Sequence, residues 1–398
     1  MRIRSTGAVL FAGVALIVSA CTGGATAAPS VEASTAASVA PTAAASTSAA
    51  PSTATTPAPS SALKIGVVTD IGSLNDKNFN EYTYKGAVAG ATDIGAATPG
   101  SVVPKSSTEY AADIKSFTDQ KYDVIVTVGF NLTHDTIVAA KANPNTWFVG
   151  VDQAPCVDPT GADDTTFACK GDAKTLLPKY ISITYEEDQA GYLAGMVAAS
   201  VSKSGTIAAI GGTSLCAPCV RYIQGYVLGA QSINSSIVVK TAYVTGDFSS
   251  KAFGDPVYGK QYATSFIAQN KPDVIFQVAG ATGNGILDAA CAAKIYGVGV
   301  DVDQYLSYTN ADACIVTSAE KHLTNSVEAT IKAIAGGSAA GGPQLFNAAN
   351  DGIGISDFHD KASLISADLT AKLATALAAM KAGSLVTCPA TGCGVYSK

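Results

Sequence analysis

The chain has 398 residues, of which 47% are hydrophobic and only 14% charged, so it can bury a core large enough for two domains. Its 25 Lys and Arg residues stand against 31 Asp and Glu residues, which gives a formal net charge of −6. This balance, with no basic run beyond the extreme N-terminus, argues against nucleic-acid binding, because phosphates are neutralised by clustered Lys and Arg.

The first 21 residues have the features of an export signal. Two arginines within the first four residues form a short positive region, an apolar run occupies residues 8–18, and the sequence VSAC ends at Cys21. The run is too short to span a bilayer. Small residues directly before a cysteine resemble a bacterial lipoprotein box, so we expect a lipidated Cys21 that holds the protein at the extracytoplasmic face of the cell membrane. An ordinary secretory signal is the alternative.

Residues 22–62 consist almost entirely of Ala, Ser, Thr, Pro and Gly, and Glu32 is the only charged residue among them. Such a segment buries too little apolar surface to offset the entropy of ordering it. We therefore expect a disordered tether with an average span of roughly 35 Å, which keeps the folded part near the membrane.

From Leu63 onward, short β-branched runs alternate with helix-length segments. The runs do not alternate apolar with polar residues, so both faces of each strand are expected to be buried, as in a parallel sheet. Two successive sets of strands and helices predict two doubly wound α/β lobes. The runs are LKIGVVTD (63–70), DVIVTVG (123–129), TWFVGVD (146–152), GTIAAIGG (205–212), IVVKTAYVTG (237–246), DVIFQVAG (273–280) and YGVGVDVD (296–303).

Polar and aromatic residues follow these strands at their carboxyl ends, where open parallel sheets bind ligands. Both halves of the chain contribute, so we expect the side chains to face one shared cleft. A two-lobed cleft without a recognisable catalytic set is typical of a capture protein. The strand-end residues are Thr69 and Asp70, Gly129 and Phe130, Asp152 and Gln153, Gly280, and the run Asp301, Val302, Asp303 and Gln304.

Eight cysteines remain once Cys21 is set aside. Because they are close together in sequence in pairs and an exported protein meets an oxidising environment, we expect local disulfides. The expected pairs are Cys156–Cys169, Cys216–Cys219, Cys291–Cys314 and Cys388–Cys393. A zinc site or a thioredoxin-like redox role for the Cys216-Ala-Pro-Cys219 motif is the alternative, but a second CxxC or a His pair at ligand spacing is missing. We expect no metal and no cofactor.

Several blocks, in order, resemble the basic membrane protein family of ABC-transporter lipoproteins, which includes purine nucleoside receptors. The resemblance covers roughly residues 63–336 and is specific as an ordered set. The blocks are VVTDIGSLNDKNFNE (67–81), YEEDQAGYLAG (185–195), AFGDPVYGKQYA (252–263), VIFQVAGATGNGILDAA (274–290), GVDVDQ (299–304) and VTSAEKHLTNSVEATI (316–331).

The resemblance implies a type I periplasmic binding protein architecture, in which two Rossmann-like lobes joined by three crossovers close on the ligand. It implies an N-terminal lobe of residues 63–184 plus 305–345 and a C-terminal lobe of residues 185–304 plus 346–398. It further implies a monomeric receptor, not an enzyme, that delivers a small molecule to an ABC permease.

The resemblance also implies how the ligand is held. Phe79 from the first lobe and Phe253 from the second would stack on the two faces of a planar base. Asp152 would accept hydrogen bonds from the base. The rest of the first-lobe polar wall would be Asp70, Asn78 and Asn80.

In the second lobe, the resemblance assigns the ribose hydroxyls to Asp301 together with Lys321. Gly280 and Gly283 would let the backbone approach the ligand closely. Carboxylates suit a neutral, donor-rich nucleoside and would repel a nucleotide phosphate.

Other interpretations of these residues stay open. Phe248 could stack on the ligand in place of Phe253, and Asp70 could simply cap the turn that follows it. The ligand could be riboflavin, another flat heterocycle or a sugar. The protein could also be a sensor that presents its ligand to a membrane receptor, which the sequence does not separate from transport. An exported nucleoside hydrolase, with Asp70 and Asp76 as its carboxylates, is the alternative from another class.

Overall fold

The protein is described by a computed structural model that covers residues 62–396. The expected signal peptide with Cys21 and nearly all of the expected tether lie outside the described residues. Among residues 62–396, no helix has both the length and the apolar character needed to cross a membrane.

The first lobe is built on one six-stranded sheet. Its strands lie in the order β11-β5-β4-β3-β1-β2, and all of its neighbouring pairs are parallel. The elements are β1 (Ile65–Val68), α1 (Phe79–Asp93), β2 (Gly100–Val102), α2 (Tyr110–Asp119), β3 (Val124–Val128), α3 (Thr133–Ala142), β4 (Trp147–Val151), α4 (Ala173–Leu176) and β5 (Tyr180–Tyr185).

The second lobe repeats this plan, with strands in the order β12-β10-β9-β8-β6-β7 and only the β10–β12 pair antiparallel. Its elements are α5 (Glu187–Val201), β6 (Thr206–Thr213), α6 (Ala217–Ile233), β7 (Val238–Thr245), α7 (Ser250–Phe253), α8 (Pro256–Asn270), β8 (Val274–Val278), α9 (Gly280–Ala292), β9 (Tyr296–Asp301), α10 (Gln304–Ser307) and β10 (Ile315–Lys321). The chain ends with α11 (Leu323–Ala335), β11 (Gly342–Phe346), β12 (Ile353–Ile355) and α12 (Ala367–Lys381). The predicted pair of doubly wound lobes is confirmed.

The chain passes between the lobes three times, and one passage differs from the expected boundary. The expected first lobe includes residues 305–345, which places the return of the chain at residue 305. In the structure, β10 instead pairs with β9 in the second sheet, where Glu320 lies beside Asp301. The chain therefore returns to the first lobe after Lys321, because the buried strand β10 still belongs to the second sheet and the next helix, α11, packs on α1. The last passage follows Phe346, next to the expected boundary at 345.

When the strands of each lobe are counted from its first strand, the first five lie in the order 2-1-3-4-5 in both sheets. Each lobe therefore has a topological switch point between its first and third strands. Loops at such a point diverge and leave a crevice at the carboxyl ends of the strands. In the first lobe these loops follow β1 and β3, and in the second they follow β6 and β8. The fold therefore positions four loops, two from each lobe, around one ligand cleft.

Helices α5 and α6 pack with their backbones in contact, because glycines occupy the crossing positions. A Cβ on Gly191 would lie 2.1 Å from the carbonyl oxygen of Tyr222, and one on Gly225 would lie 2.0 Å from that of Asp188. This close approach brings the first turn of α5, with Glu187, next to Arg221 on α6.

All four cysteine pairs in the described chain are disulfide-bonded, with the pairing that the sequence analysis expects. They are Cys156–Cys169, Cys216–Cys219, Cys291–Cys314 and Cys388–Cys393. The Cys216-Ala-Pro-Cys219 motif thus carries a disulfide between the N-cap and the third residue of α6.

Candidate functional site

A cavity of about 650 Å³, including its open mouth, lies between the carboxyl ends of the two sheets. Eight of the ten residues named as ligand contacts in the sequence analysis line it, and they come from both lobes. They are Asp70, Phe79, Asn80, Asp152, Phe253, Gly280, Asp301 and Lys321.

The remaining two lie outside the lining of the cavity. Asn78 is fully buried at the N-cap of α1, behind the lining. Gly283 lies inside α9, and a Cβ there would come within 1.6 Å of Gln277 Oε1. Asn78 is thus part of the helix start, and its side-chain Oδ1 and Nδ2 have no hydrogen-bond partner within residues 62–396. Gly283 lets α9 pack closely against Gln277. The ligand contacts of both residues stay predictions.

Aromatic rings from opposite lobes line the cavity. Phe79 begins α1 of the first lobe, and Phe253 ends α7 of the second. Phe130, in the loop after β3, is a third ring in the lining, 6.4 Å from Phe253 between centroids. Phe248 contacts Phe130 at 5.5 Å but does not line the cavity and is 39% exposed. From the sequence, Phe130 was named as a strand-end residue but was not assigned a ligand contact. Its position beside the switch point could have predicted that it lines the cavity.

Lys321, at the end of β10, is the centre of a buried ionic cluster. Its side chain is only 2% exposed, and its Nζ lies 2.5 Å from Asp152 Oδ2 and 3.1 Å from Glu187 Oε1. Arg221 Nε in turn lies 2.5 Å from Glu187 Oε2. Burial alone would lower the pKa of Lys321, but the surrounding carboxylates, Asp301 among them, outweigh it and raise that pKa above its ordinary value. The ammonium therefore stays charged and is already neutralised by protein.

The rings around this ammonium add to its stabilisation. Phe79, Tyr185 and Tyr222 each place a ring centroid between 5.2 and 5.5 Å from Lys321 Nζ. Cations at this distance are attracted by the electron density of a ring face. The cluster thus ties the two lobes together behind the cavity, since Asp152 and Phe79 belong to the first lobe. Glu187 and Arg221 were missed at the sequence level because nothing in their spacing links them to Lys321.

Asp152 and Asp301 occupy equivalent positions at the strand ends of the two lobes. Both adopt a left-handed backbone, with φ of 58° and 63°. Such conformations are uncommon for non-glycine residues and cluster at functional sites. Burial raises the pKa of both carboxyls, that of Asp301 to about 7 even though Lys321 acts to lower it. Tyr222 donates a hydrogen bond of 3.2 Å to Asp301 Oδ1.

Asp70 both caps the turn after β1 and lines the cavity. Its carboxylate accepts hydrogen bonds from the Ile71 backbone N–H at 2.7 Å, from the Tyr110 hydroxyl and from Asn131 Nδ2 at 3.2 Å. Burial, the largest influence, raises its pKa, while these donors act to lower it. The capping interpretation and the cleft position are thus both correct for this residue.

The loop before α1 makes direct hydrogen bonds across the cleft. Asn284 Nδ2 donates to the Asp76 carbonyl oxygen at 2.9 Å, and Ser307 Oγ donates to the Lys77 carbonyl oxygen at 2.8 Å. The Asp76 carboxylate accepts the backbone N–H groups of Asn78, Asn80 and Glu81 at 2.9–3.1 Å, and burial raises its pKa to about 6. Asp76 therefore holds the loop shape, while Asn284 and Ser307 latch the lobes in a closed arrangement.

The N-terminus of α6 forms a wall of the cavity that the sequence analysis did not assign to it. Cys216, Pro218, Cys219 and Tyr222 all line the space opposite the first lobe. They lie there because α6 follows β6, one of the two strands at the switch point of the second lobe.

Comparisons with known proteins agree with this architecture. A family model described as ABC transporter substrate-binding protein PnrA-like matches residues 63–382. The ABC transporter nucleoside-binding protein BmpA of Lactococcus lactis is 30% identical over 61% of this chain, and the match spans 64% of that relative, slightly less than two thirds. Basic membrane protein D of Borreliella burgdorferi is 28% identical over 74% of this chain and 79% of its own length.

Among solved structures, that of ABC transporter solute-binding proteins from Aeropyrum pernix is similar in fold. It superposes with a TM-score of 0.68 at 21% identity and covers 83% of this chain and 94% of its own. The expected type I periplasmic binding protein architecture is confirmed.

Proposed function

Because the chain belongs to the family of PnrA-like ABC transporter substrate-binding proteins, which work outside the cytoplasm, we propose that it captures a purine nucleoside between its lobes for delivery to an ABC permease. We further propose that it is a monomer anchored to the membrane through lipid on Cys21. The nucleoside proposal draws on the similarity to the Lactococcus relative, which is named as a nucleoside-binding protein, and on the chemistry of the cavity.

The observation that carries the proposal is that rings from both lobes line one cavity. Phe79 belongs to the first lobe and Phe253 to the second, so closure of the lobes brings a ring to each side of a flat guest. Stacking on aromatic side chains contributes about 1–3 kcal/mol per base. A planar heterocycle is the ligand that such a pair recognises.

The polar wall offers acceptors. The buried Oδ1 atoms of Asn80 and Asp152 have no hydrogen-bond partner within residues 62–396. A buried acceptor left unpaired costs about 1–3 kcal/mol, which a ligand N–H or O–H removes by donating to it. A purine base supplies such donors at its edge, and the ribose hydroxyls supply them near Asp301.

Charge selects against phosphates. Lys321 is the single Lys or Arg among the described residues that line the cavity, and Asp152 and Glu187 already neutralise it. A nucleotide phosphate would meet Asp70, Asp152 and Asp301 without a free cation. Like charges in a poorly solvated site repel strongly, so the nucleoside is favoured over the nucleotide.

The hydrolase alternative has no support in the geometry. Asp70 and Asp76 were its candidate carboxylates, and each of them accepts three hydrogen bonds from its own lobe. Both carboxylates are thus held by structural donors instead of being poised against a glycosidic bond.

Calorimetry and thermal unfolding of the detergent-solubilised full chain test the proposal. Guanosine, adenosine and inosine are compared with their 5′-monophosphates, free bases, riboflavin and ribose. We expect purine nucleosides to bind and, at a concentration of 100 Kd, to stabilise the fold by about 2.7 kcal/mol, while monophosphates do not. Binding of riboflavin or a sugar in the absence of nucleoside binding would refute it. Release of free base from inosine would instead favour the enzyme.

The lipid anchor has a separate test. In cells, Cys21→Ala should move the protein from the membrane fraction to the soluble exported fraction, because the acyl chains no longer bury their methylene groups in the bilayer. Unchanged fractionation of the variant would contradict the anchor.

A further inference from the structure

One of the four disulfides belongs to the wall of the ligand cavity. Cys216 and Cys219 both line it, and they are only 2% and 6% exposed. The other six cysteines of the described chain do not line it, and Cys169 and Cys393 among them are exposed at the protein surface. The most deeply buried disulfide is thus the one that faces the space where ligand enters.

The chemistry at this disulfide favours exchange with thiols. Cys216 is the N-cap of α6, a helix of 17 residues, and its Sγ accepts the Cys219 backbone N–H at 3.2 Å. A thiolate released at Cys216 would keep this hydrogen bond and lie at the positive end of the helix dipole, and both stabilise negative charge on sulfur. A stabilised leaving thiolate speeds thiol–disulfide exchange.

We propose that Cys216–Cys219 is a thiol–disulfide exchange site that an extracytoplasmic dithiol reduces when the cleft is open and that bound ligand protects. One thiolate of the dithiol attacks Cys219 Sγ, the Cys219–Cys216 bond breaks, and Cys216 leaves as a thiolate. The second thiol of the reductant then attacks the mixed disulfide. The products are two reduced cysteines and one oxidised dithiol, with two electrons and two protons transferred.

Access to the sulfur atoms depends on the lobes. In the closed arrangement the first lobe contributes Asp70, Asp76 and Phe79 to the opposite side of the same cavity. Because Cys216 and Cys219 are only 2% and 6% exposed in this arrangement, separation of the lobes should make the sulfurs more accessible to a reductant. Because a ligand held between the lobes favours closure, the fraction of molecules open to reduction falls as ligand saturates the site. This protection by ligand rests on the proposed function.

The experiment follows each disulfide separately. The oxidised full chain is incubated with dithiothreitol, with and without guanosine at 100 times the Kd measured by calorimetry. Samples are quenched with iodoacetamide and analysed by peptide mass spectrometry. We expect guanosine to slow reduction of Cys216–Cys219 by about 100-fold, the factor by which it depletes the ligand-free protein. The rates for Cys156–Cys169 and Cys388–Cys393 should change less than twofold.

A variant without ligand separates this proposal from the nucleoside proposal. Asn284→Ala removes a hydrogen bond that holds the lobes together, so it should speed reduction of Cys216–Cys219 several-fold while the other disulfides react at wild-type rates. If guanosine does not bind but this acceleration appears, the nucleoside proposal fails and the exchange site stands. Equal slowing of all four disulfides by bound guanosine, or no effect of Asn284→Ala, overturns the exchange site.

Discussion

The sandwich of rings makes a quantitative prediction about Phe253. Its ring packs so closely on β6 that a Cβ on Gly212 would lie 2.6 Å from a ring carbon, so the ring is held in place before ligand arrives. Phe253→Ala removes one stack, worth about 1–3 kcal/mol, and should therefore raise the Kd for guanosine by about 5- to 150-fold. Isothermal titration calorimetry on folded protein measures this change directly.

Phe248→Ala is the matched control. Phe248 is the same residue type, five positions earlier in the chain, and contacts Phe130 without lining the cavity. We expect the Kd of the Phe248→Ala variant for guanosine to stay within about threefold of the wild-type value, because a partly exposed ring outside the site contributes little to binding. A larger loss for Phe248→Ala than for Phe253→Ala would assign the stack to Phe248. Unchanged affinity in both variants, with normal melting temperatures, would refute the sandwich.

Four further predictions concern the polar groups of the cleft. Lys321→Met leaves buried carboxylates without their cation, so urea unfolding should show a loss of about 3–5 kcal/mol, and a loss below about 1 kcal/mol would contradict the ionic cluster. Burial raises the pKa of Asp301 to about 7, so the folded state binds more protons than the unfolded state between about pH 4 and 7. The free energy of unfolding should therefore fall as the pH rises through that window. The Asp301→Asn variant should show a smaller fall. If ribose hydroxyls donate to the ionised Asp301 carboxylate, guanosine affinity should rise with pH through about 7 and level off above it, and titrations in buffers of different ionisation enthalpy should detect proton release. Asn284→Ala should weaken binding by about 1 kcal/mol, roughly fivefold, through faster dissociation in stopped-flow traces, and an unchanged dissociation rate would exclude the latch.

The sheet architecture was predictable because buried parallel strands have a distinct pattern. Runs such as DVIVTVG and DVIFQVAG contain no alternation, and the structure buries every residue of β3 and β8. Residues at the ends of such strands must face the cleft, which is why Asp70, Asp152 and Asp301 could be named from the sequence. Each of these assignments requires only local sequence, because it depends on recognising the buried strand that precedes the residue.

What could not be predicted depends on contacts between distant segments. Glu187 meets Arg221 because glycines let α5 approach α6, and no sequence pattern pairs Glu187 with Lys321, 134 positions away. The packing of Gly283 was hidden for a similar reason: a Cβ there would meet Gln277 Oε1, a neighbour that the sequence does not reveal, and its ligand contact stays a prediction.

The ionic cluster bears on how the proposed neutral ligand could be bound beside three acids. With every group ionised, Asp152, Glu187 and Asp301 contribute three negative charges against two positive charges from Lys321 and Arg221, a net of −1. Because the pKa of Asp301 is about 7, this net charge lies between 0 and −1 at neutral pH. Ligand hydroxyls that donate to Asp301 stabilise its ionised form, so binding a neutral nucleoside costs little electrostatic energy. A phosphate would add about two further negative charges to a wall that has no free cation among its described residues, and its repulsion would grow as water leaves the closing cleft.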